Sequence, residues 1–196
     1  MPDSVSEVVL TDAARVVQDD GPRSLAYFCQ QEPIRVEASL IAHLKQAAAQ
    51  PGAKNVRLCL HPGPDAAFHE MIIVEKRGKY YRPHKHLSKG ESYHLMEGEM
   101  AAFVFEEDGT VKDACHLTPQ GTMLYRVGAN MYHAILPLSD LIVYHESKPG
   151  PFLGATDSVY PTWAPDGTHP DEVSAFTERL LQRLREQRAA QRTRSA

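Results

Sequence analysis

The amino-acid sequence predicts an all-β core with one helix before it and one after it, and three observations carry that prediction. Between Asn55 and Ser147 the chain runs as short segments of alternating polarity rich in Val, Ile, Tyr and Phe, the period of strands with one buried face. Turn-forming clusters separate them, HPGPD, KRGK, MEGE, EEDGT and TPQGT, at the close spacing of a sandwich or a closed barrel. On either side of this stretch the apolar period lengthens from two to that of a helix.

Taken in order, residues 1–22 close on DDGP and read as a loosely ordered leading segment, although VSEVVL has the composition to add a strand to a sheet edge. SLAYF reads as a strand, and Val36, Leu40, Ile41, Leu44 and Ala48 then recur at helical spacing up to the stop at QPG. The predicted strands of the core are NVRLCL, AFHEMIIVEK, YYRPHKH, SYHLMEG, MAAFVFE, VKDACHL, TMLYRV, MYHAILP and LIVYHES. Closing them into a barrel would remove the exposed edges that invite aggregation. KPGPF and YPTWAPDGTHP form a proline-rich loop, after which Val173, Phe176, Leu180, Leu181 and Leu184 mark an amphipathic helix. This organisation gives one domain over residues 23–170 and a C-terminal helix with a basic tail over 171–196, without internal repeats.

Composition narrows the function classes. With 196 residues, 42% hydrophobic and 23% charged, the chain has the material for one domain with a sizeable core. It carries neither an apolar run of membrane-spanning length nor the basic-then-apolar order of a secretory signal, so a cytoplasmic protein is expected. Cys29, Cys59 and Cys115 are an odd, widely spaced set beside apolar neighbours, which predicts reduced, buried thiols. The net charge of -4 is unevenly spread: residues 178–196 hold six arginines against two glutamates, leaving fifteen basic and twenty-three acidic residues elsewhere. That tail lacks the interleaved aromatics of a nucleic-acid surface and reads as a solvated, frayed end, so neither a nucleic acid nor a membrane is expected as partner.

The segment GKYYRPHKHLSKGESYHLMEG concentrates the chemistry. In a strand His84 and His86 present two imidazoles to one side, and the turn LSKG returns Glu91 to the same space from the next strand. His133 in GANMYHAIL supplies a third imidazole, with Met131 and Ile135 on its face. Three imidazoles and a carboxylate suit one divalent transition metal, Fe, Mn, Co, Ni, Cu or Zn, rather than Ca or Mg. Arg82 and Tyr80 share the parity of His84, which in a regular strand places a guanidinium beside the ion to hold an anionic ligand. Lys148, Arg57 and His61 are further candidates for the mouth of the site. His94 has the opposite parity to Glu91 and faces away, His43 and His169 lie on a helix and in a loop, and His69, His116 and His145 read as neutral, satisfied imidazoles. Tyr125 and Tyr144 are candidates to face inward.

The spacing G-x5-H-x-H-x4-E-x6-G, from Gly78 through His84, His86 and Glu91 to Gly98, resembles the first cupin motif without a mismatch. GTMLYRVGANMYHAILP resembles the second motif less closely: its histidine is present, but the proline, the glycine before the histidine and the final asparagine are displaced. RLCLH at 57–61, YYRPHKH, the run from Glu146 to Pro151 and WAP at 163–165 together resemble the WbuC family of cupin-fold metalloproteins, over roughly residues 36–166. That resemblance implies a cupin-type jelly roll, a homodimer and a setting in bacterial surface-polysaccharide synthesis; the longer N-terminal segment and the arginine tail depart from it. The function expected is a metalloenzyme, an isomerase or epimerase, hydrolase or oxygenase, acting on a small polar or anionic molecule such as a sugar or sugar nucleotide. The alternative is a non-catalytic, metal-dependent binding or sensing module.

Overall fold

The computed structural model describes residues 9–21 and 24–195. Ten strands follow in chain order as β1 (Val16–Asp20), β2 (Ser24–Cys29), β3 (Asn55–Cys59), β4 (Phe68–Lys76), β5 (Glu91–Glu97), β6 (Met100–Phe105), β7 (Val111–Leu117), β8 (Leu124–Val127), β9 (Tyr132–Pro137) and β10 (Leu141–Pro149). Helix α1 (Ala38–Ala49) lies between β2 and β3, and α2 (Pro170–Ser195) closes the chain. Seven strands form one sheet in the order β1-β2-β3-β4-β10-β5-β8, and β7-β6-β9 form a second. All pairings are antiparallel except β2 with β3, which α1 connects as a crossover.

The molecule is therefore four layers deep, α1 on the large sheet, the large sheet on the small one, and α2 on the outside. Between the sheets Phe28, Met71, Ile73, Tyr93, Leu95 and Tyr144 face Met100, Ala102, Val104 and Leu117. On the outer face of the large sheet Leu40, Leu44 and Ala48 of α1, spaced four apart, cover Val56, Leu58, Ile72 and Val74. On the outer face of the small sheet Phe176, Leu180 and Leu184 of α2 cover Ala101, Phe103, Phe105 and Ala134, with Trp163 alongside. β6 is consequently buried along its whole length, and MAAFVF reads as a continuous apolar run because both its faces are covered.

The predicted all-β core and both helices are present, as two facing sheets, the arrangement of a jelly roll. Three local expectations change. Within the segment read as loosely ordered, Val16–Asp20 pairs with β2 over five residues; most of VSEVVL lies outside the described residues. YYRPHKH makes only isolated bridges, His84 with His133 and Lys85 with Val159, since Pro83 has no N–H to give a ladder. The C-terminus is helical to Ser195 rather than frayed after its apolar face, and Gln187 anchors it by donating to Asp113 at 2.7 Å and accepting from the Ala114 N–H at 3.0 Å.

Candidate metal centre

The short bridge between His84 and His133 brings the two motif segments together. His84 N–H donates to the His133 carbonyl at 3.1 Å and His133 N–H returns the bond at 2.9 Å, while Asn130, in the left-handed region at φ 59, donates to the His86 carbonyl at 2.7 Å. A small polar residue tolerates that conformation, so Asn130, standing where the second motif has its glycine three residues before the histidine, makes the turn that presents His133. Glu91 opens β5, next to β10 and β8. The ligand atoms of His84, His86, Glu91 and His133 all lie within 4.8 Å of one another, and the three imidazole centroids are 4.6 to 5.8 Å apart.

The hydrogen bonds around these rings fit a cation. His84 Nδ1 lies 3.3 Å from the Arg82 carbonyl, His86 Nδ1 2.6 Å from that of Asp157 and His133 Nδ1 2.8 Å from that of Met131. A carbonyl only accepts, so each Nδ1 carries the proton and each Nε2 presents a lone pair. Backbone partners of this kind hold metal-binding histidines in one tautomer and orientation. His86 Nε2 and His133 Nε2 are buried without a hydrogen-bond partner, although Glu91 Oε1 lies 2.7 Å from His133 Nε2. A lone pair facing a carboxylate oxygen at that distance is repulsive unless a proton or a metal ion lies between them, and the Nε2 atoms with Glu91 are a donor set that fits a transition metal ion. Burial, then the neighbouring His133, lowers the pKa of His84 to about 4, which keeps its lone pair free. Tyr93 donates its hydroxyl to Glu91, and Lys148 Nζ lies 3.4 Å from Glu91 Oε2 and 2.8 Å from Glu146.

His84, Glu91 and His133 line a cavity of about 270 Å³ between the sheets. Of the residues read from the sequence as ligand contacts, Lys148, Arg57 and His61 line this cavity too. Arg82 and Tyr80 do not. Arg82 donates to the Pro161 carbonyl at 2.5 Å, lies over the Tyr160 ring at 5.5 Å and borders a separate groove with Trp163, Asp166 and Arg179. Tyr80 donates to the Pro165 carbonyl at 2.8 Å and meets Phe176 edge-on. Strand parity does not extend to them, because residues 80–83 lie outside any strand and turn toward the C-terminal loop instead.

Other histidines take ordinary places. His94 is on the face of β5 opposite Glu91, His43 is exposed, and His116 contacts Glu99 at 2.7 Å. His61 and His69 stack at 4.3 Å, and burial, then the adjacent His69, lowers His61 to about 4. Tyr144 faces the cavity, and Tyr125, paired with Tyr93 and packed against the inter-sheet core, donates to Asp113 at 2.6 Å. Sequence reasoning missed Asn55, Glu75, Tyr81 and Glu146, which also line the cavity; the one available signal was an acidic residue, Glu75, on the apolar face of MIIVEK.

Fold and site together define a two-sheet jelly roll whose inter-sheet cavity carries a three-histidine, one-glutamate cluster. The chain matches the family described as Domain of unknown function (DUF6016) over residues 36–117, a stretch that holds His84, His86 and Glu91 but ends before His133. No curated protein matches it. Similar solved structures include the capsular polysaccharide assembling protein CapF from Staphylococcus aureus, at 15% identity and TM-score 0.46 over 54% of this chain and 29% of that one. A structure described as DMSP lyases RdDddP and RnDddQII is 21% identical with TM-score 0.41 over 55% and 52%, and the cupin domain of Schizosaccharomyces pombe Cnp3 is 10% identical with TM-score 0.40 over 48% and 64%. The matched region thus spans under a third of CapF and less than two thirds of the other two. No helix among the described residues is long and apolar enough to cross a membrane.

Proposed function

We propose that this protein is a metal-dependent enzyme of the WbuC type, holding one divalent transition metal on His84, His86, Glu91 and His133 and acting on a small polar molecule of sugar size. The single observation that carries the reading is the set of Nε2 lone pairs and the Glu91 carboxylate converging within 4.8 Å at a cavity wall. At about 270 Å³ the cavity is at the small end of ligand pockets, which favours a monosaccharide or a comparable polar molecule. Bound there, a transition metal supplies Lewis-acid polarisation of a substrate oxygen, or oxygen chemistry if it is redox-active. The chain's own residues contribute the rest. Lys148 neutralises Glu91 and Glu146 from a largely buried position, and those two carboxylates hold its ammonium protonated against the desolvation. Tyr93 fixes Glu91 through its hydroxyl, and Phe28, Met71 and Ile135 exclude water from the inner wall. The WbuC resemblance supports a polysaccharide-synthesis setting and a homodimer, the latter checked by light scattering of the purified chain.

Elemental analysis of the purified protein is the test. About one transition-metal ion per chain is expected, with His84→Ala, His86→Ala and His133→Ala each losing it. His94→Ala, on the opposite face of β5, is expected to keep it. A wild-type protein that binds no transition metal when offered Mn, Fe, Ni or Zn would end this reading.

A further inference from the structure

The cavity has a second polar end, remote from the histidines. On its wall β3 presents Asn55 and Arg57, β4 presents Ile73 and Glu75, and β10 presents Tyr144, Glu146 and Lys148. Pairing Lys148 with His69 and Ile142 with Glu75 separates the two ends by six residues of β10, roughly 20 Å of strand. Asn55 and Glu75 flank the Val56–Val74 pair and are 3% and 5% exposed. Glu75 Oε1 accepts from the Tyr144 hydroxyl at 3.0 Å, and Asn55 Nδ2 donates to the Tyr81 hydroxyl. Three buried atoms remain without a hydrogen-bond partner: Asn55 Oδ1, Glu75 Oε2 and Arg57 Nε. Buried polar atoms are ordinarily satisfied, so several orphans lining one cavity mark a place for a ligand.

We propose that Asn55, Arg57 and Glu75 form a subsite that binds the carboxylate and adjoining hydroxyl of a small hydroxy acid, such as a sugar acid. The inference stands apart from the metal-site reading, since a small hydroxy acid is too short to span the roughly 20 Å of strand between the two ends. Lys148 is paired with Glu91 and Glu146, whereas no carboxylate among the described residues pairs with Arg57, which leaves its guanidinium as the cavity cation free to take an anion. A planar carboxylate matches that fork. Asn55 Oδ1 is an acceptor, which the anion alone would leave unsatisfied, so the ligand must also bring a donor, and a neighbouring hydroxyl is one. Burial lifts the Glu75 carboxyl to about 7, against the pull of Tyr81 and Tyr144 and with Glu146 adding to the rise; in its protonated form it donates to the incoming carboxylate. A phosphate dianion fits poorly, with one guanidinium set against Glu75 and Glu146.

Isothermal titration of the metal-loaded protein with glycerate and gluconate tests the subsite, with acetate, glycerol and inorganic phosphate as comparators. The hydroxy acids are expected to bind at least about tenfold more tightly than acetate, which lacks the hydroxyl, and than glycerol, which lacks the charge. Arg57→Gln should lose about tenfold or more, and Arg57→Lys should recover part of it, since an ammonium keeps the charge but not the fork. Asn55→Asp, nearly isosteric and checked for a native circular-dichroism spectrum, should weaken glycerate by a similar factor through like-charge repulsion. Metal content is measured on every variant. In His84→Ala, which removes an ion ligand without touching Arg57, an Arg57-dependent share of the binding should survive. Equal glycerate affinity in wild type, Arg57→Gln and Asn55→Asp would overturn the proposal and leave water as the partner of the three orphan atoms. Binding lost in His84→Ala but kept in Arg57→Gln would overturn it as well, placing the carboxylate on the ion.

Discussion

Glu75 is the residue whose environment differs most from its sequence neighbourhood. It ends an apolar strand, yet it is buried at the cavity wall against Tyr144 and beside Tyr81, with Glu146 and Lys79 as the other charged groups acting on it. A carboxyl whose folded pKa is raised to about 7 binds its proton more tightly in the folded than in the unfolded chain. Stability from this group is therefore full below about pH 4.5 and is lost as the pH rises to about 7, by an amount on the order of 3 kcal/mol. Glu75→Gln keeps the shape of the protonated acid and cannot ionise. Urea unfolding of both proteins between pH 4 and 8 should show wild type falling relative to the variant across that window and level above it. The lowered His61 and His84 titrate in both proteins and cancel in the difference. Arg82 gives a contrasting expectation: its guanidinium is bonded to Pro161 outside the cavity lining, and only its backbone carbonyl meets His84, so replacing it by alanine should leave metal content unchanged.

At the scale of elements, turns and helix docking decide where the site sits. Gly98 reverses the chain between β5 and β6 at φ 84, and a Cβ there would meet the Leu141 carbonyl at 2.8 Å. Gly98→Ala is thus strained in backbone and in space, and a loss on the order of 1–3 kcal/mol in chemical denaturation is expected. The same contact explains the glycine that closes the first motif spacing: it lets β5, which carries Glu91, turn tightly beside β10. Helix α2 acts on the outer side of the small sheet, where Phe176 is 5% exposed against Phe105 and Trp163. Phe176→Ala should cost about 3–5 kcal/mol while the ion content per folded chain stays at its wild-type value, because His133 is held by the β6–β9 and His84 pairings rather than by the helix.

For the whole molecule, an ion held on the proposed ligands would tie together segments distant in the chain: the 84–86 segment, β5 of the large sheet and β9 of the small one. Binding to the folded state alone stabilises it by mass action, about 2.7 kcal/mol at a hundredfold excess over the dissociation constant. For a chain of 196 residues that corresponds to roughly 5–10 °C in melting temperature. Calorimetry of metal-loaded and chelated protein should show this shift in wild type and little of it in His84→Ala. An equal response in both would mean that the added ion stabilises the fold from some other place.

Much of this was legible in the sequence because it depends on local period and spacing. Alternation placed nine of the ten strands to within a few residues, helical spacing placed α1 and α2, and the His84, His86, Glu91 pattern named a cluster that the chain does bring together with His133. Tertiary structure decided the rest. Parity predicts a side chain's face only while the strand ladder persists, and past Pro83 toward Tyr80 it does not, so Arg82 and Tyr80 turned to the C-terminal loop. The arginine-rich end became part of a docked helix because the small sheet needed a cover on its outer face. Asn55, Arg57, Glu75 and Tyr144 line one wall of the cavity because β4 lies between β3 and β10 in the large sheet. No period within any one of those strands encodes the order in which strands pair, and it is that order which makes the polar end of the cavity.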